Sequence, residues 1–483
     1  MDKVYSGVTL VDSTMVLSAG DLASATTINS GGVQQVFASA AAVTTFINSG
    51  GYQQVFSGGL AEYTSISSAG TSYGVQIIYN GGSALVTAMT GGVQVLASGG
   101  YASGTVISGN GQQTVYAGAT VSGTVLAAGA VQALYMDPAV SGTTVAATGT
   151  VIYSNGAQIF MAGNTSDYID MVALGTVVYS GGVQYLGYYS YNTGWVYQGG
   201  VSVSAALVGG VQYIPQRGTA IATTVVSGGT QNVLYGGLAS GTQVYSGAQM
   251  VYNGAVAYGA YVQPISSGAQ AYQVVLSGGV ATTTVFNSGA IQNVSGGGAS
   301  VLTYLMNDGY QYVTSGGFAS GSILMSGGKA EFASGAYLQD ANVASGALLY
   351  MDSGSVLLGA VVLGGGNLVI ADGTVYVSEA TLLADLTSAT GLGIAHGSAG
   401  IYNSPGIRWG NYFEYAGLGV SLASGQATGI YAVSDLLVNG YTPVFSIVVA
   451  GQAVGSVAYG SAAEYNGYVY CPFALSRVFQ SNL

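Results

Sequence analysis

Side chains capable of acid, base or nucleophilic chemistry are rare in this chain of 483 residues, which has one His and one Cys. The closest acidic pair is Asp167 and Asp170, in "NTSDYIDM". Two carboxylates at this spacing could serve glycoside hydrolysis or bind Ca²⁺. Two acids in a surface loop are more often simply solvated, so the pair alone does not predict a site.

The remaining candidates for catalysis are isolated in the sequence. His396 and Cys471 stand far apart and lack any local signature of a nucleophile with its base, which gives each a structural role. The Gly triplets at 296–298 and 364–366 lack the Gly-Lys-Ser/Thr of a phosphate-binding loop. We therefore predict that the chain is not an enzyme and has neither a cofactor nor a metal site.

The composition excludes several classes of partner and location. Five basic residues against 17 acidic ones leave a net charge of −12, so no basic patch exists for nucleic acid. Hydrophobic residues make up 49% of the chain, which is too many for a disordered protein. Gly, Ser, Thr and Gln interrupt every apolar run, so we predict no transmembrane helix and no secretory signal at the amino terminus.

The most informative pattern is a repeat. The sequence "INSGGVQQVF" at 28–37 returns as "INSGGYQQVF" at 47–56. A Gln followed two positions later by an apolar residue then recurs, usually at intervals of 18 to 28 residues with nineteen as the base. The anchors of these copies are Gln34, Gln53, Gln76, Gln94, Gln113, Gln132, Gln158, Gln184, Gln212, Gln231, Gln249, Gln270, Gln292 and Gln311.

Each copy predicts one coil of an all-β solenoid. Gly-Gly precedes a β-rich run, and a second Gly-containing break precedes a run that ends in Thr-x-Ile, as at Thr105 and Ile107. Gly, Thr, Val, Ser and Tyr disfavour helix, so we expect two strands of about five residues and two tight corners per coil. Such a unit buries its apolar face only by stacking on its neighbours in parallel sheets.

Strand alternation places the anchor Gln and the apolar residue two positions later on one face. We predict that this face is buried and that the Gln amides satisfy one another in a ladder, although outward Gln would also fit the repeat. On the opposite face, aromatic residues three positions after the anchor could mediate self-association or merely shield the sheet. These candidates are Phe37, Phe56, Tyr79, Tyr116, Tyr135 and Tyr252.

The repeats "GGYQQVFSGGLAEYTSI" (50–66) and "GGVQVLASGGYASGTVI" (91–107) resemble those of AIDA-type autotransporter adhesins, over roughly residues 20–350. The resemblance implies a right-handed β-helical passenger on a bacterial surface or released from it, acting in adhesion, self-association and biofilm formation. It implies a second copy, a host-surface glycan or protein, and a heptosyltransferase as partners. The transferase would modify Ser before Gly-Gly, a residue that also suits any turn: Ser30, Ser49, Ser180, Ser227 and Ser277.

The pattern divides the chain into an amino-terminal cap at 1–19, the solenoid at 20–377 and a capping or assembly domain at 378–483. In the last segment we expect strands such as "PVFSIVVAG" and one short helix at "ATLLADL". The segment is too short for the usual autotransporter barrel, so we expect an excised passenger or a protein anchored differently. A subunit of an extracellular filament or surface layer, and a virus-type spike that binds glycan, remain alternatives.

Overall fold

The structure, a computed structural model, describes most of the solenoid and short segments beyond it. The described residues are 2–136, 144–162, 171–190, 194–266, 268–352, 354–362, 366–370, 373–376, 382–384, 399–403, 407–410, 444–449, 452–458, 463–465 and 468–470.

The predicted β-solenoid is confirmed, with about 17 turns of roughly 19 residues and no helix among the described residues. Each coil contains three short strands, which we name after the residue each buries. In one coil the Gln strand is Val33–Val36, the Ala strand is Ala41–Val43 and the Ile strand is Phe46–Ile47. Buried and outward residues alternate along all three, as the period of a strand requires.

Consecutive coils pair in parallel and in register, so that each residue faces its counterpart. Gln34 lies opposite Gln53, Ala42 opposite Ala61, and Phe46 opposite Ser65. The described chain divides into two compact units, residues 1–243 with 247–249, and residues 244–246 with 250–483.

The first unit contains most of the coils. Its Gln strands are Thr14–Leu17, Val33–Val36, Tyr52–Val55, Val75–Ile78, Val93–Leu96, Gln112–Tyr116, Val131–Met136, Ala157–Ala162, Val183–Tyr185, Val211–Ile214 and Gly229–Val233. Its Ala strands are Val4–Ser6, Leu22–Ser24, Ala41–Val43, Leu60–Glu62, Ser83–Leu85, Tyr101–Ser103, Thr120–Ser122, Val145–Thr148, Met171–Leu174, Gly200–Val203, Gly218–Ile221 and Leu238–Ser240. Its Ile strands are Thr9–Leu10, Thr27–Ile28, Phe46–Ile47, Ser65–Ala69, Ala88–Thr90, Val106–Ser108, Val125–Leu126, Val151–Ile152, Val177–Tyr179, Ala206–Val208 and Thr224–Val226. Ser72–Tyr73, Gly187–Ser190 and Gly194–Gln198 belong to inserted hairpins, and Gln243–Val244 and Gly247–Val251 span the unit boundary.

The second unit continues the same three-strand coil. Its Gln strands and their equivalents are Ala271–Val275, Ile291–Val294, Tyr310–Val313, Lys329–Phe332, Leu348–Met351 and Asn367–Ile370. Its other coil strands are Val256–Tyr258, Tyr261–Val262, Val280–Thr282, Val285–Phe286, Ala299–Val301, Tyr304–Leu305, Phe318–Ser320, Ile323–Leu324, Tyr337–Val343, Val356–Val362, Gly373–Tyr376 and Leu382–Ala384. Ala399–Asn403, Ile407–Gly410, Val444–Val449, Gln452–Ala458, Ala463–Tyr465 and Tyr468–Tyr470 are further strands.

The Gly-Gly pairs form tight corners. Between an Ile strand and the next Gln strand, the Gly32 N–H donates to the Asn29 carbonyl at 2.9 Å, and Gly31 adopts a φ of 72°. Such a turn needs a positive φ at its third residue, which favours Gly. The second Gly of a pair is required for steric reasons. At the corner between a Gln strand and the next Ala strand, a Cβ on Gly59 would lie 2.4 Å from the Val36 carbonyl oxygen of the preceding coil.

The expectation of two strands and two corners per coil is wrong, because a third corner divides the Ala strand from the Ile strand. One residue there adopts a left-handed conformation, for example Thr44 with a φ of 55° and Val86 with a φ of 53°. Gly104 holds the same place in the coil after Val86, with a φ of 68°. About half of the coils have Gly at this corner and the others do not, so the sequence carries no consistent turn signal there.

Two expectations for the carboxy-terminal region have different outcomes. The short helix at "ATLLADL" is wrong, because Leu382–Ala384 is a strand that pairs in parallel with the coil strand Val356–Val362. The strand in "PVFSIVVAG" is confirmed as Val444–Val449. The boundaries at 1–19 and 378–483 stay predictions, although residues 4–17 already form a coil that pairs with the next one.

Asp21 fixes a corner of the first coils. Its carboxylate is buried and accepts the N–H groups of Lys3 and Ser18, both at 2.9 Å. These two backbone hydrogen bonds lower the pKa of Asp21, and the bond from Ser18 has the larger effect. Protonation of this carboxyl group therefore weakens the connection between the first two coils.

The third corner gives a testable prediction. Val86 is half exposed and β-branched, so its left-handed backbone is strained and little burial is lost on truncation. We expect Val86→Gly to raise the free energy of unfolding by about 0.5–1 kcal/mol, as relief of strain exceeds the greater flexibility of unfolded Gly. Denaturant titration of the two proteins measures the difference.

The matched variant is Gly104→Val, at the same place in the next coil. A Cβ there meets only ordinary contacts at 3.8 Å or more, so the variant introduces backbone strain without a clash. We expect destabilisation of similar size. A neutral result for both variants would show that the corner tolerates either residue.

Candidate functional site

The buried face of the Gln strands carries a continuous amide ladder in each unit. Every ladder Gln is fully buried, and from the second Gln of each unit onward Nε2 donates to the Oε1 of the Gln in the preceding coil at 2.6–2.9 Å. In the first unit the ladder is Gln34, Gln53, Gln76, Gln94, Gln113, Gln132, Gln158, Gln184, Gln212, Gln231 and Gln249; in the second it is Gln273, Gln292 and Gln311. The predicted inward ladder is confirmed.

One predicted anchor is wrong. Gln270 is exposed, and Gln273 takes the ladder position and pairs with Gln292. The sequence "QPISSGAQA" lengthens this coil at its corner, which moves the Gln strand three residues further along the chain. Gln270 also has an aromatic residue two positions later, so the sequence pattern could not separate the two choices.

Hydroxyl groups complete the ladder. Thr45 donates to Gln34 Oε1 at 3.3 Å and accepts from Gln53 Nε2 at 3.2 Å, and Thr64, Thr87 and Thr150 repeat both contacts. Most other coils of the first unit repeat the donation from their own Thr. Where both contacts are made, the buried amide has partners for both of its donors and for its acceptor, as burial requires. In the second unit the equivalent hydroxyl of Thr284 is buried without a hydrogen-bond partner. Where Ala205 replaces the Thr, Ser202 on the neighbouring strand supplies the hydroxyl to Gln184 and Gln212.

All ladder amides point the same way along the coil stack, so the two ends need different partners. At the amino-terminal end Gln34 has donors to satisfy, and it donates to the sulfur of Met15 at 3.6 Å and to Thr26 at 3.3 Å. In the second unit the Gln311 carbonyl accepts from Ser322 at 2.9 Å, and Ala330 occupies the next Gln position. The column of the first unit therefore begins with acceptors, and the column of the second unit ends with a donor.

The opposite, outward side of the Gln strands in the first unit, here called the Gln face, is uncharged. It consists of the residues before and after each buried Gln and the residue three positions after it, such as Val33, Gln35 and Phe37. None of these strands, from Thr14–Leu17 to Gly229–Val233, contains Asp, Glu, Lys or Arg. Gln35 donates to Gln54 at 2.9 Å, so the polar side chains on this face also pair between coils.

The six predicted aromatic residues lie on this outward side, and the structure brings five of them into two groups. Phe37, Phe56 and Tyr79 form a parallel stack with centroids 4.5 and 4.8 Å apart. Tyr116 and Tyr135 meet edge to face at 5.1 Å, and Tyr252 lies in the second unit. The rings point outward and also cover one another, so they shield the sheet, and their part in self-association stays a prediction.

Two further tyrosine pairs were missed by the anchor pattern. Tyr153 and Tyr179 stack at 5.0 Å beside the Gly-Gly corner, and Tyr185 and Tyr213 stack at 5.1 Å on the Gln face. The signal was available, because in each pair the same residue type recurs one coil later at the same place relative to the Gln.

The predicted glycosylation serines occupy corners. Ser30, Ser180, Ser227 and Ser277 are exposed. Ser49 is half buried, and its hydroxyl donates to the carbonyl of Ser72 in an inserted hairpin at 3.1 Å. Four of the five hydroxyls are therefore accessible to a transferase.

The acid pair Asp167 and Asp170, and the isolated His396 and Cys471, lie outside the described residues. Among the residues that the structure describes, no cluster of three or more His, Cys, Asp or Glu side chains could hold a metal ion. The described part of the chain also contains no helix with the length and hydrophobicity of a membrane span.

The second unit carries a charged cluster beside Gln311, the last Gln of its ladder. Lys329 pairs with Asp308 at 2.8 Å, both largely exposed, and Tyr310 donates to Glu331 at 2.5 Å. Burial, followed by the nearby Glu331 carboxylate, raises the pKa of Tyr310 above its usual range. These contacts are those of a satisfied surface network and do not converge on an open site.

Comparison with solved structures finds proteins similar to this chain. The chain is 30% identical to the TibA55-350 fragment, hyper-glycosylated by TibC, over 70% of this chain and 100% of the fragment, with a TM-score of 0.45. ORF18 of Geobacillus virus E2 (8% identity, 80% of this chain and 71% of that one, TM-score 0.18) and PfbA, a surface adhesin of Streptococcus pneumoniae (9%, 97% and 90%, 0.12), match too weakly to inform function. No family model and no curated protein matches. The sequence identity to TibA and the β-solenoid fold agree, at the level of the family, with the AIDA-type resemblance of the repeats.

The ladder predicts a large difference between two adjacent Gln residues. Gln113 is fully buried, whereas Gln112 is exposed. We expect Gln113→Leu to lower the free energy of unfolding by about 3 kcal/mol or more, because Gln94, Thr124 and Gln132 each lose a partner for a buried polar atom. Urea titration measures the loss.

The control is Gln112→Leu, which leaves the ladder intact and should change the free energy of unfolding by about 0.5 kcal/mol or less. Equal effects of the two substitutions would contradict a stabilising role of the buried amide column.

Proposed function

We propose that this chain is an extracellular or surface-exposed passenger of the AIDA type, which acts by binding further copies of itself through the Gln face. The observation that carries the proposal is the combination of an uncharged outward sheet with columns of partly exposed aromatic rings. The 30% identity to TibA supports the adhesin class.

When the same surface of two copies meets, electrostatic repulsion is avoided only if that surface carries little charge. The net charge of −12 disfavours most random contacts between copies, whereas the Gln face contributes none of it. Aromatic rings and amide side chains supply apolar area together with polar groups that can pair across an interface. The periodic spacing of the coils allows the same contact to form at many places along two chains.

The match to TibA also supports a modifying partner. The TibA fragment is hyper-glycosylated by TibC. We propose that a glycosyltransferase of this kind modifies corner serines of this chain, and that the exposed Ser30, Ser180, Ser227 and Ser277 are its acceptors. Each stands where the chain turns away from the sheet, so an attached sugar would leave the strand pairing undisturbed.

Self-association is tested by comparing two aromatic residues of equal exposure. Phe37 on the Gln face is 37% exposed, and Tyr101 on an Ala strand is 38% exposed. We expect Phe37→Lys to shift the dimer midpoint to higher concentration by about ten-fold or more, since an unpaired charge must be desolvated at the interface. Light scattering with size-exclusion chromatography over a concentration series measures the shift.

Tyr101→Lys adds the same charge elsewhere and should leave the midpoint unchanged. An equal shift in both variants would indicate a general charge effect, and a monomeric parent chain at every concentration would sink the proposal. Circular dichroism confirms that each variant keeps the strand content of the parent.

Glycosylation is tested by co-expression with a TibC-type transferase and peptide mass mapping. We expect sugar masses on peptides that contain the exposed corner serines. Ser202 and Ser300, which are fully buried, serve as internal controls and should stay unmodified. Absence of added mass, or modification of buried and exposed serines alike, would contradict acceptor selection by corner exposure.

A further inference from the structure

Tyr153 and Tyr179 form an isolated pair of exposed rings on two consecutive coils. Their centroids are 5.0 Å apart and their planes differ by 5°. The rings are 45% and 37% exposed, so solvent and small oxidants reach both. Strand pairing places Ala127 before the pair and Val208 after it, so the column contains two rings and no more.

The backbone holds these two rings together independently of their own contact. Val151 pairs with Val177 and Ile152 with Val178, directly before the two tyrosines in sequence. Two reactive groups fixed side by side react as one unimolecular system, which strongly favours their coupling over encounters with distant groups.

From this arrangement we infer that Tyr153 and Tyr179 are an oxidative cross-linking site, at which hydrogen peroxide and a haem peroxidase join two consecutive coils through a dityrosine bond. Each phenol loses one electron and one proton, and a carbon–carbon bond forms between the two ring carbons ortho to the oxygens. The two hydrogens on these carbons then move to the oxygens and restore both phenols. Hydrogen peroxide takes up the two electrons and two protons and becomes two molecules of water.

The cross-link would provide an intrachain covalent bond, which this chain cannot form through a disulfide. A single Cys cannot form an intrachain disulfide, whereas the chain has 38 Tyr. A covalent bond between consecutive coils closes a loop in the unfolded chain and so favours the folded state, as a disulfide does. The pair formed by Tyr185 and Tyr213 is similarly stacked but less exposed, which makes it the slower site.

The experiment treats the purified full chain with a haem peroxidase and hydrogen peroxide at a concentration where it is monomeric. The readouts are dityrosine fluorescence, migration on a denaturing gel and peptide mapping after pepsin digestion. We expect a monomer-sized product in which peptides containing Tyr153 and Tyr179 are linked with the loss of two hydrogen atoms. We also expect its unfolding midpoint in urea to exceed that of the untreated chain.

Tyr153→Phe and Tyr179→Phe keep a stacked ring but remove one phenol, and each should abolish the linked peptide and the shift in midpoint. Tyr235→Phe is the matched control, since Tyr235 is 64% exposed and is not stacked on another ring among the described residues. It should change neither readout. Cross-links found only between chains, or a monomer-sized product without the 153–179 peptide, would overturn the proposal.

Discussion

The buried Gln amide is the constraint on which the structure depends. An amide in the core costs several kilocalories per mole unless its donors and its acceptor are bonded, and the nearest place for a partner is the same position in the next coil. Gln34, Gln53 and Gln76 therefore stand directly above one another, with Thr hydroxyls between them. A slip of two residues, which keeps the same face inward, would set a buried amide against an aliphatic side chain such as Val36, so the column fixes the register that a purely apolar core would leave open.

This constraint acts on the strands and leaves the corners free. Gln53 and Gln76 are separated by a hairpin insertion at Ser67–Tyr73, and still bond at 2.7 Å. Gln184 and Gln212 are separated by a longer hairpin at Gly187–Gln198, with the same distance of 2.7 Å. Insertions are tolerated because they leave the coil at a corner and return to it before the next paired strand. The solenoid can thus vary its surface without altering its core.

The ladder could be predicted from the sequence because each buried Gln requires an identical neighbour in the next coil, and this requirement produces a sequence repeat. Gln34 and Val36 recur together, and both proved to be buried. The third corner was missed because its turn signal is inconsistent: Gly104 marks it in one coil, whereas Thr44 and Val86 adopt the same left-handed backbone in others. The position of Gln273 was missed for a related reason: an insertion shifts the anchor, and only pairing with the next coil decides which Gln is buried.

The same periodicity that satisfies the core also shapes the surface. In-register stacking repeats each outward residue at the strand spacing of about 4.8 Å, so aromatic side chains that recur by sequence become stacks. The faces of Phe56 are covered by Phe37 and Tyr79, which leaves ring edges as the exposed contact surface. A sugar that stacks on an aromatic residue requires an open ring face, which this column does not provide at Phe56. A flat, uncharged sheet can contact the exposed ring edges instead. This geometry of the rings supports the proposal that the Gln face contacts a second copy of the chain.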